Sequence, residues 1–378
     1  MPTTEDVLAL ACDLIRRPSV TPDDGGCQEM MIERLEPLGF CVEKLPFGDV
    51  TNFWARRGDA SPLVVLAGHT DVVTPGPIDE WCTPPFEPTV VDGWLYGRGA
   101  ADMKSSLAAM IVAVERFLKT HPDHRGSIAF LITSDEEGDA RDGTVKVVEY
   151  LSRKNIAIDY CIVGEPSSSQ RFGDVVRVGR RGSLNGKLTV TGTQGHVAYP
   201  DQALNPIHAA IGALHRLVGK TWDSGTEHFP PSTFQISNIS AGTGATNVIP
   251  GRLTALFNFR FNTEHTPEAL QTAVKNELES VEADCQVDWT LSGLPFLTHQ
   301  GKLTEAVCSA LERTVSITPE LSTSGGTSDG RFVAPTGAEV VELGPVNETI
   351  HKVNEKVALI ELEPLANAYR AILASLLG

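Results

Sequence analysis

Pro62-Leu63-Val64-Val65-Leu66-Ala67-Gly68-His69-Thr70-Asp71 decides the fold of this chain. An unbroken apolar run that ends abruptly in Gly and polar residues reads as a strand covered on both faces, the property of parallel sheets flanked by helices. The pattern recurs twice. Ser127-Ile128-Ala129-Phe130-Leu131-Ile132-Thr133 runs into Ser134-Asp135-Glu136-Glu137-Gly138, and Asp159-Tyr160-Cys161-Ile162-Val163 runs into Gly164-Glu165-Pro166. Each run delivers an imidazole or a carboxylate where the strand stops, and open α/β sheets gather their ligands at the carboxyl ends of strands. Asp102 ahead of a long helical pattern and His351 after an apolar run near the C-terminus add two more. Two His and three carboxylates converging there suit a pair of divalent ions holding an activated water.

At 378 residues the chain exceeds the size at which a single core stops growing, so two domains are expected. A formal charge of −17 excludes a sequence-independent nucleic-acid binder, which needs a basic surface. It leaves a small anionic substrate open, because a few local Arg outweigh a global field. Seven scattered Cys without a CxxC argue against a disulfide framework and for a reducing, cytoplasmic location. No apolar stretch approaches the ~20 residues of a membrane span. The amphipathic segment Thr4–Ile15 lacks the basic start and apolar length of a signal peptide.

Apolar spacing predicts helices at 3–17, 27–38, 103–119, 143–152, 302–314 and 358–377, and strands at 40–45, 51–56, 62–67, 159–163 and 338–343. Segment 74–98, rich in Pro and Gly, reads as loop with a short strand at Trp94-Leu95-Tyr96. Between them the pattern changes. A strand at 183–191, a helix at 205–218, strands at 233–239 and 252–261, a helix at 267–282 and a strand at 285–291 give the order β-α-β-β-α-β, the ferredoxin-like arrangement. The expected organisation is therefore an α/β domain over 1–180 and 295–378, interrupted by a smaller domain at 181–294.

Each site residue also has a bland reading. His69-Thr70-Asp71 serves equally as an Asx turn, Glu136-Glu137 as part of a solvated acidic loop, Asp102 as a helix cap, Glu165 as an exposed loop charge, and His351 as a structural imidazole. The functional reading rests on their sum at successive sheet ends.

Gly68-His69-Thr70-Asp71-Val72-Val73, Gly97-Arg98-Gly99-Ala100-Ala101-Asp102-Met103-Lys104, Ser134-Asp135-Glu136-Glu137-Gly138 and Gly164-Glu165-Pro166, in that order, resemble the M20 metallopeptidase family over essentially the whole chain. Val178-Gly179-Arg180-Arg181-Gly182-Ser183-Leu184, Ser324–Phe332 and Gly344–Glu355 carry a closer likeness, to the branch that hydrolyses N-succinyl-LL-2,6-diaminopimelate to succinate and LL-2,6-diaminopimelate. The resemblance implies a zinc-peptidase-like α/β catalytic domain with a mixed central sheet, interrupted by a ferredoxin-like dimerisation domain. It implies two Zn²⁺ per subunit, with Co²⁺ or Mn²⁺ as substitutes. His69 and Glu165 would hold one ion, Glu137 and His351 the other, and Asp102 would bridge them. Asp71 would orient His69, and Glu136 would be the general base. A homodimer is implied too, with His196 reaching the partner's active site.

For a substrate with three carboxylates, Arg180 and Arg260 are the candidate anchors, since Arg forks match carboxylates. Tyr199, Asn247, Gly326, Thr327 and Asn347 would add polar contacts. Rival readings are another M20 deacylase acting on N-acetylornithine or acylated amino acids, a zinc aminopeptidase, and a non-catalytic binding protein that keeps the fold.

Overall fold

The computed structural model describes residues 4–378. Leu63–His69 is a strand buried at every position, as its composition requires. Along the chain the principal elements are α1 (Thr4–Ile15), α2 (Cys27–Leu35), β1 (Cys41–Lys44), β2 (Asn52–Arg57), β3 (Leu63–His69), α3 (Ser105–Thr120), β4 (Ser127–Thr133), α4 (Thr144–Arg153), β5 (Tyr160–Val163), β6 (Val175–Arg177), β7 (Gly182–Thr191), α5 (Pro206–Gly219), β8 (Thr233–Ala241), β9 (Arg252–Phe261), α6 (Pro267–Leu278), β10 (Asp284–Gly293), α7 (Lys302–Val315), β11 (Glu320–Ser322), β12 (Glu339–Glu342) and α8 (Leu359–Leu377). The chain divides into two compact units, one of Met1–Gly179, Leu297–Ser322 and Ser328–Gly378, the other of Arg180–Phe296 and Thr323–Thr327. The short Thr323–Thr327 piece, in the Gly-rich turn, groups with the second unit, which sequence patterning had not anticipated.

The first unit is built on an eight-stranded mixed sheet, ordered β1-β2-β4-β3-β5-β12-β6-β11. Its centre, β4-β3-β5-β12, is parallel, and β1 and β2 join antiparallel at one edge. Alternation splits the buried residues of β3 between two faces. Val64 and Leu66 join the main core with Leu107, Ile111 and Val114 of α3, Leu14 of α1, and Leu362 and Tyr369 of α8. The opposite side of β2 and β4 receives α4. Nearly every residue of α3 is buried, so this helix is packed all round instead of presenting one stripe.

Three expectations shift. The helix expected from Met103 begins at Ser105, because Ala100–Lys104 forms a wider turn in which Asp102 and Met103 leave helical angles. The proline-rich segment holds an extra strand, Thr89–Val91, against Trp94–Tyr96. The helix expected to reach 282 stops at Leu278. The chain leaves the first unit and returns to it side by side, with Thr298 N–H donating to Val178 O at 2.6 Å.

The second unit is a four-stranded antiparallel sheet ordered β8-β9-β7-β10, so the spatial order of the four strands is 2-3-1-4, as βαββαβ connectivity demands. Leu188 and Val190 of β7 and Phe257 and Phe259 of β9 share one core with Ala210 and Leu214 of α5 and Leu270 and Val274 of α6. Asn205 and Thr266 cap those helices by accepting from the N–H groups of Ile207 and Ala269. Two glycines of β7 lie under the rings of the Phe directly opposite. Gly182 pairs with Phe261 and Gly186 with Phe257, and a Cβ on Gly186 would come within 2.2 Å of the Phe257 ring. The ring covers the backbone that glycine leaves bare. We expect Gly186→Ala to destabilise the second unit by about 1–3 kcal/mol, the usual range for forcing extra volume into a packed core. Thermal unfolding followed through Trp fluorescence checks this, and an unchanged midpoint refutes it.

Candidate active site

Seven of the expected site residues meet in the first unit, at the carboxyl end of the parallel strands. His69 is the last residue of β3, Glu136 and Glu137 follow β4, and Glu165 follows β5 by one glycine. Glycine precedes two of the candidate ligands for a steric reason. The buried Met103 thioether lies on the bare backbones of Gly68 and Gly164, and a Cβ at either would approach Met103 Cε to 2.3 or 2.5 Å. Methionine's slim, flexible chain fills this seam between β3 and β5, and it fixes where its neighbour Asp102 stands.

Asp102 offers one oxygen to each side. Its Oδ1 lies 3.2 Å from His69 Nε2 and its Oδ2 lies 3.4 Å from His351 Nε2. Glu165 Oε1 stands on the His69 side, 3.5 Å from Nε2, and Glu137 Oε1 on the His351 side, 3.0 Å from Nε2. Asp102 makes no helix-cap hydrogen bond, which answers the bland reading of this residue. His69 Nδ1 donates to the main-chain oxygen of Asp71 at 2.8 Å, while the Asp71 carboxylate is 3.6 Å away. That carboxylate instead accepts from the N–H groups of Glu136 at 3.3 Å and Glu137 at 3.1 Å. Asp71 thus fixes the His69 ring through its backbone and the Glu136-Glu137 turn through its side chain.

Burial and close charges perturb Asp102 and its neighbours His69 and Glu165. Burial would raise Asp102, yet hydrogen bonds from His351 and His69 together hold it well below the usual carboxylate range. Burial would lower His69, but its contacts with Asp102 and Glu165 outweigh this and lift it well above an ordinary imidazole. His351 is pushed up to about 10 by Asp102 and then Glu137. Glu165 is raised to about 7 by burial and the neighbouring Asp102 charge, and Glu136 is raised well above normal by burial and then by Glu165. So many buried carboxylates need compensating positive charge.

The donor set fits divalent cations. With His69 Nδ1 engaged by a carbonyl, its Nε2 is the atom left to face an ion, the usual division of labour in a ligating His. Glu165 Oε1 is buried without a hydrogen-bond partner. Oxygen or nitrogen atoms of His69, Glu136 and Glu165 lie within 4.8 Å of one another, as do those of His69, Asp102 and Glu137. Glu136 is therefore close enough to the first group to count as a possible ligand by distance. Glu137 Oε1 meets His351 Nε2, whereas Glu136 Oε1 faces the Arg331 guanidinium.

Residues that sequence reasoning did not single out complete this end of the sheet. Arg331 Nη1 is 3.8 Å from Glu136 Oε1, and its guanidinium lies over the Phe332 ring. Asp329, buried beside it, accepts from Thr144 Oγ at 2.6 Å. Both stand in the Gly-rich stretch 324–332, where Arg following Asp-Gly after a turn was the available signal. Asn347, half-buried in this unit, donates its main-chain N–H to Ser168 O at 3.0 Å.

The second unit holds the other expected residues in separate groups. His196 lies in a two-stranded ribbon in which Gly195-His196 pairs with Val248-Ile249, with Asn247 and Tyr199 just outside it: Val197 N–H donates to Asn247 O at 3.2 Å and Tyr199 N–H to His196 O at 2.9 Å. His196 is exposed, and its Nδ1 accepts from Ala198 N–H at 3.1 Å, so the neutral ring carries its proton on Nε2. Arg180 is buried and donates through Nη1 to Ser324 O at 2.9 Å, next to Gly325, Gly326 and Thr327. Arg260 lies on β9, paired with Ser183 and Thr233.

A relative from Methylobacillus flagellatus, a succinyl-diaminopimelate desuccinylase, is 60% identical over 98% of this chain and 99% of its own length. Among solved structures, an aminopeptidase from Bacillus cereus shares the fold at a TM-score of 0.80 and 21% identity, covering 99% of both chains. A dinuclear metal-binding peptidase of the M20 family from Bacillus subtilis superposes at a TM-score of 0.73 and 17% identity over 98% of each chain. The family model for peptidase family M20/M25/M40 matches residues 65–375, from within β3 to the last turns of α8, and so takes in every residue of the cluster around Asp102. The chain belongs to peptidase family M20/M25/M40.

Proposed function

We propose that this chain is a dimetal amide hydrolase that converts N-succinyl-LL-2,6-diaminopimelate and water to succinate and LL-2,6-diaminopimelate, a step of diaminopimelate and lysine synthesis. The observation that carries the chemistry is Asp102, with one oxygen towards His69 and the other towards His351. The 60% identity to a succinyl-diaminopimelate desuccinylase over nearly the full chain supports the substrate.

His69 and Glu165 would hold one ion and Glu137 and His351 the other, with an Asp102 oxygen for each. Divalent ions held there would supply Lewis acidity and a water of lowered pKa. Mixed carboxylate and imidazole donors accept Zn²⁺, Co²⁺ or Mn²⁺, with Zn²⁺ the expected occupant. Glu136 takes a proton from the attacking water and returns it to the leaving amine, so one carboxylate is base first and acid second. Asp71 holds the main chain of Glu136 and Glu137 while that proton moves.

His196, with its proton on Nε2, is suited to donate to the developing oxyanion of the amide. Arg180 and Arg260 would bind carboxylates of the substrate, aided by Tyr199, Asn247, Gly326, Thr327 and Asn347. We assign His196 to the partner's site in a homodimer formed through the second unit. Support comes from the outer face of α5, where Ile207, Ile211 and Val218 are 37%, 61% and 58% exposed, and from β8, an edge strand with Ile239 exposed.

Protein assayed with Zn²⁺ content measured on the same sample should hydrolyse the succinyl substrate and leave N-acetylornithine nearly untouched. The reverse preference would move it to a different deacylase. Glu136→Gln should lower kcat by at least ~100-fold, the low end for a general base, while two ions remain bound. Near-normal turnover would remove Glu136 from that role. Mixing inactive His196→Ala and Glu136→Gln protomers should restore part of the activity in mixed dimers. No recovery despite demonstrated subunit exchange would rule out action across the interface.

A further inference from the structure

Four donors converge on one buried carboxylate behind the site. Glu355 Oε2 accepts from Arg98 Nη1 at 2.6 Å and from Gly99 N–H at 2.9 Å. Its Oε1 accepts from Ala101 N–H at 2.9 Å and Asp102 N–H at 3.0 Å. Arg98 alone would neutralise the charge, so a purely electrostatic need is met by one of the four. The other three donors are main-chain groups of the turn that presents Asp102, at Gly99, Ala101 and Asp102, and they define its path.

The other end of Glu355 is equally tied. Gly97 N–H donates to its main-chain oxygen at 3.0 Å, and Lys356–Ala358 then pairs antiparallel with Trp94–Tyr96. Four residues upstream lies His351. Both His351 and Asn354 have left-handed backbone, with φ of 60° and 61°, a conformation that non-glycine residues hold only when their surroundings impose it. Asn354 Oδ1 accepts from Cys82 N–H at 2.6 Å, which pins that turn from its far side.

We propose that Glu355 is a positioning residue for the metal centre: its carboxylate locks the Asp102 turn to the His351 turn, so that the two Asp102 oxygens and His351 Nε2 keep one spacing. Glu355 touches neither ion nor substrate and acts through Asp102 and His351. The inference rests on the reading of those two residues as metal ligands.

Glu355→Gln tests it. The side-chain amide puts an NH₂ where two N–H donors now find an oxygen, and little volume changes. Zn²⁺ titration of metal-stripped protein by calorimetry should show affinity lowered by about 10–100-fold, the range for groups that support a ligand from behind. In metal-free protein, hydrogen exchange at Gly99, Ala101 and Asp102 should speed up while β3 and β4 stay protected. Glu355→Asp, which keeps the charge but withdraws it, should fall between the two. Wild-type affinity in Glu355→Gln, even with lowered thermal stability, would overturn the proposal and leave a structural role. If Glu355→Gln does not fold, Glu355→Asp carries the same measurement, and unchanged affinity there overturns the proposal as well. Failure of the wild-type protein to bind Zn²⁺ is a separate outcome, which removes the metal reading and this inference with it.

Discussion

The structure depends on one carboxylate held between two imidazoles. Asp102 cannot serve His69 and His351 at once unless its backbone leaves helical angles just before α3, and the surroundings are arranged to make it do so. Met103 occupies the seam between β3 and β5, which fixes the turn from one side. Glu355 collects the N–H groups of the turn from the other. The negative charge gathered there would be untenable without positive partners. Burial, and then the neighbouring carboxylate charges, raise Glu136 and Glu165, while contacts with carboxylates raise both His residues.

Asp71 illustrates how one residue links strands that are separate in sequence. Its main-chain oxygen sets the tautomer of His69 at the end of β3, and its side chain grips the turn after β4. The candidate base and the candidate ligands therefore share a frame and do not move independently. Asp135, one residue earlier, accepts from the N–H groups of Ala140, Arg141 and Asp142, which keeps the rest of that acidic loop folded back.

Much of this was legible in the residues. The three apolar runs and their polar ends placed β3, β4 and β5 and the site at their carboxyl edge, because a doubly buried strand leaves few other readings. The βαββαβ order of the second unit was legible as well, since alternation and helical spacing are local signals. The turn at Asp102 was not. An apolar stretch at helical spacing after Asp predicts a capped helix, and only contacts with Gly68, Gly164 and Glu355, far away in sequence, override that propensity. Glu355 itself reads as one more charge in a polar segment. Its burial is set by β-pairing between Lys356–Ala358 and Trp94–Tyr96, and only the second of these short strands announced itself in the sequence. Arg331 and Asp329 were hidden for a similar reason, as they follow a Gly-rich turn whose course no periodicity describes.

The side-by-side exit and return of the chain at Val178 and Thr298 has a consequence for how the first unit assembles. A hydrogen bond joins residues on either side of an excursion of more than a hundred residues. The sheet could be closed there by a short turn, so the excursion adds nothing to its connectivity. It does add delay: β11 and β12 are separated from β5 and β6, their partners, by the whole intervening unit. Folding speed falls as contacting residues grow more distant in sequence. An intervening unit that collapses early into its own core shortens the effective tether, and so brings the last two strands to the sheet sooner than chain length alone would allow.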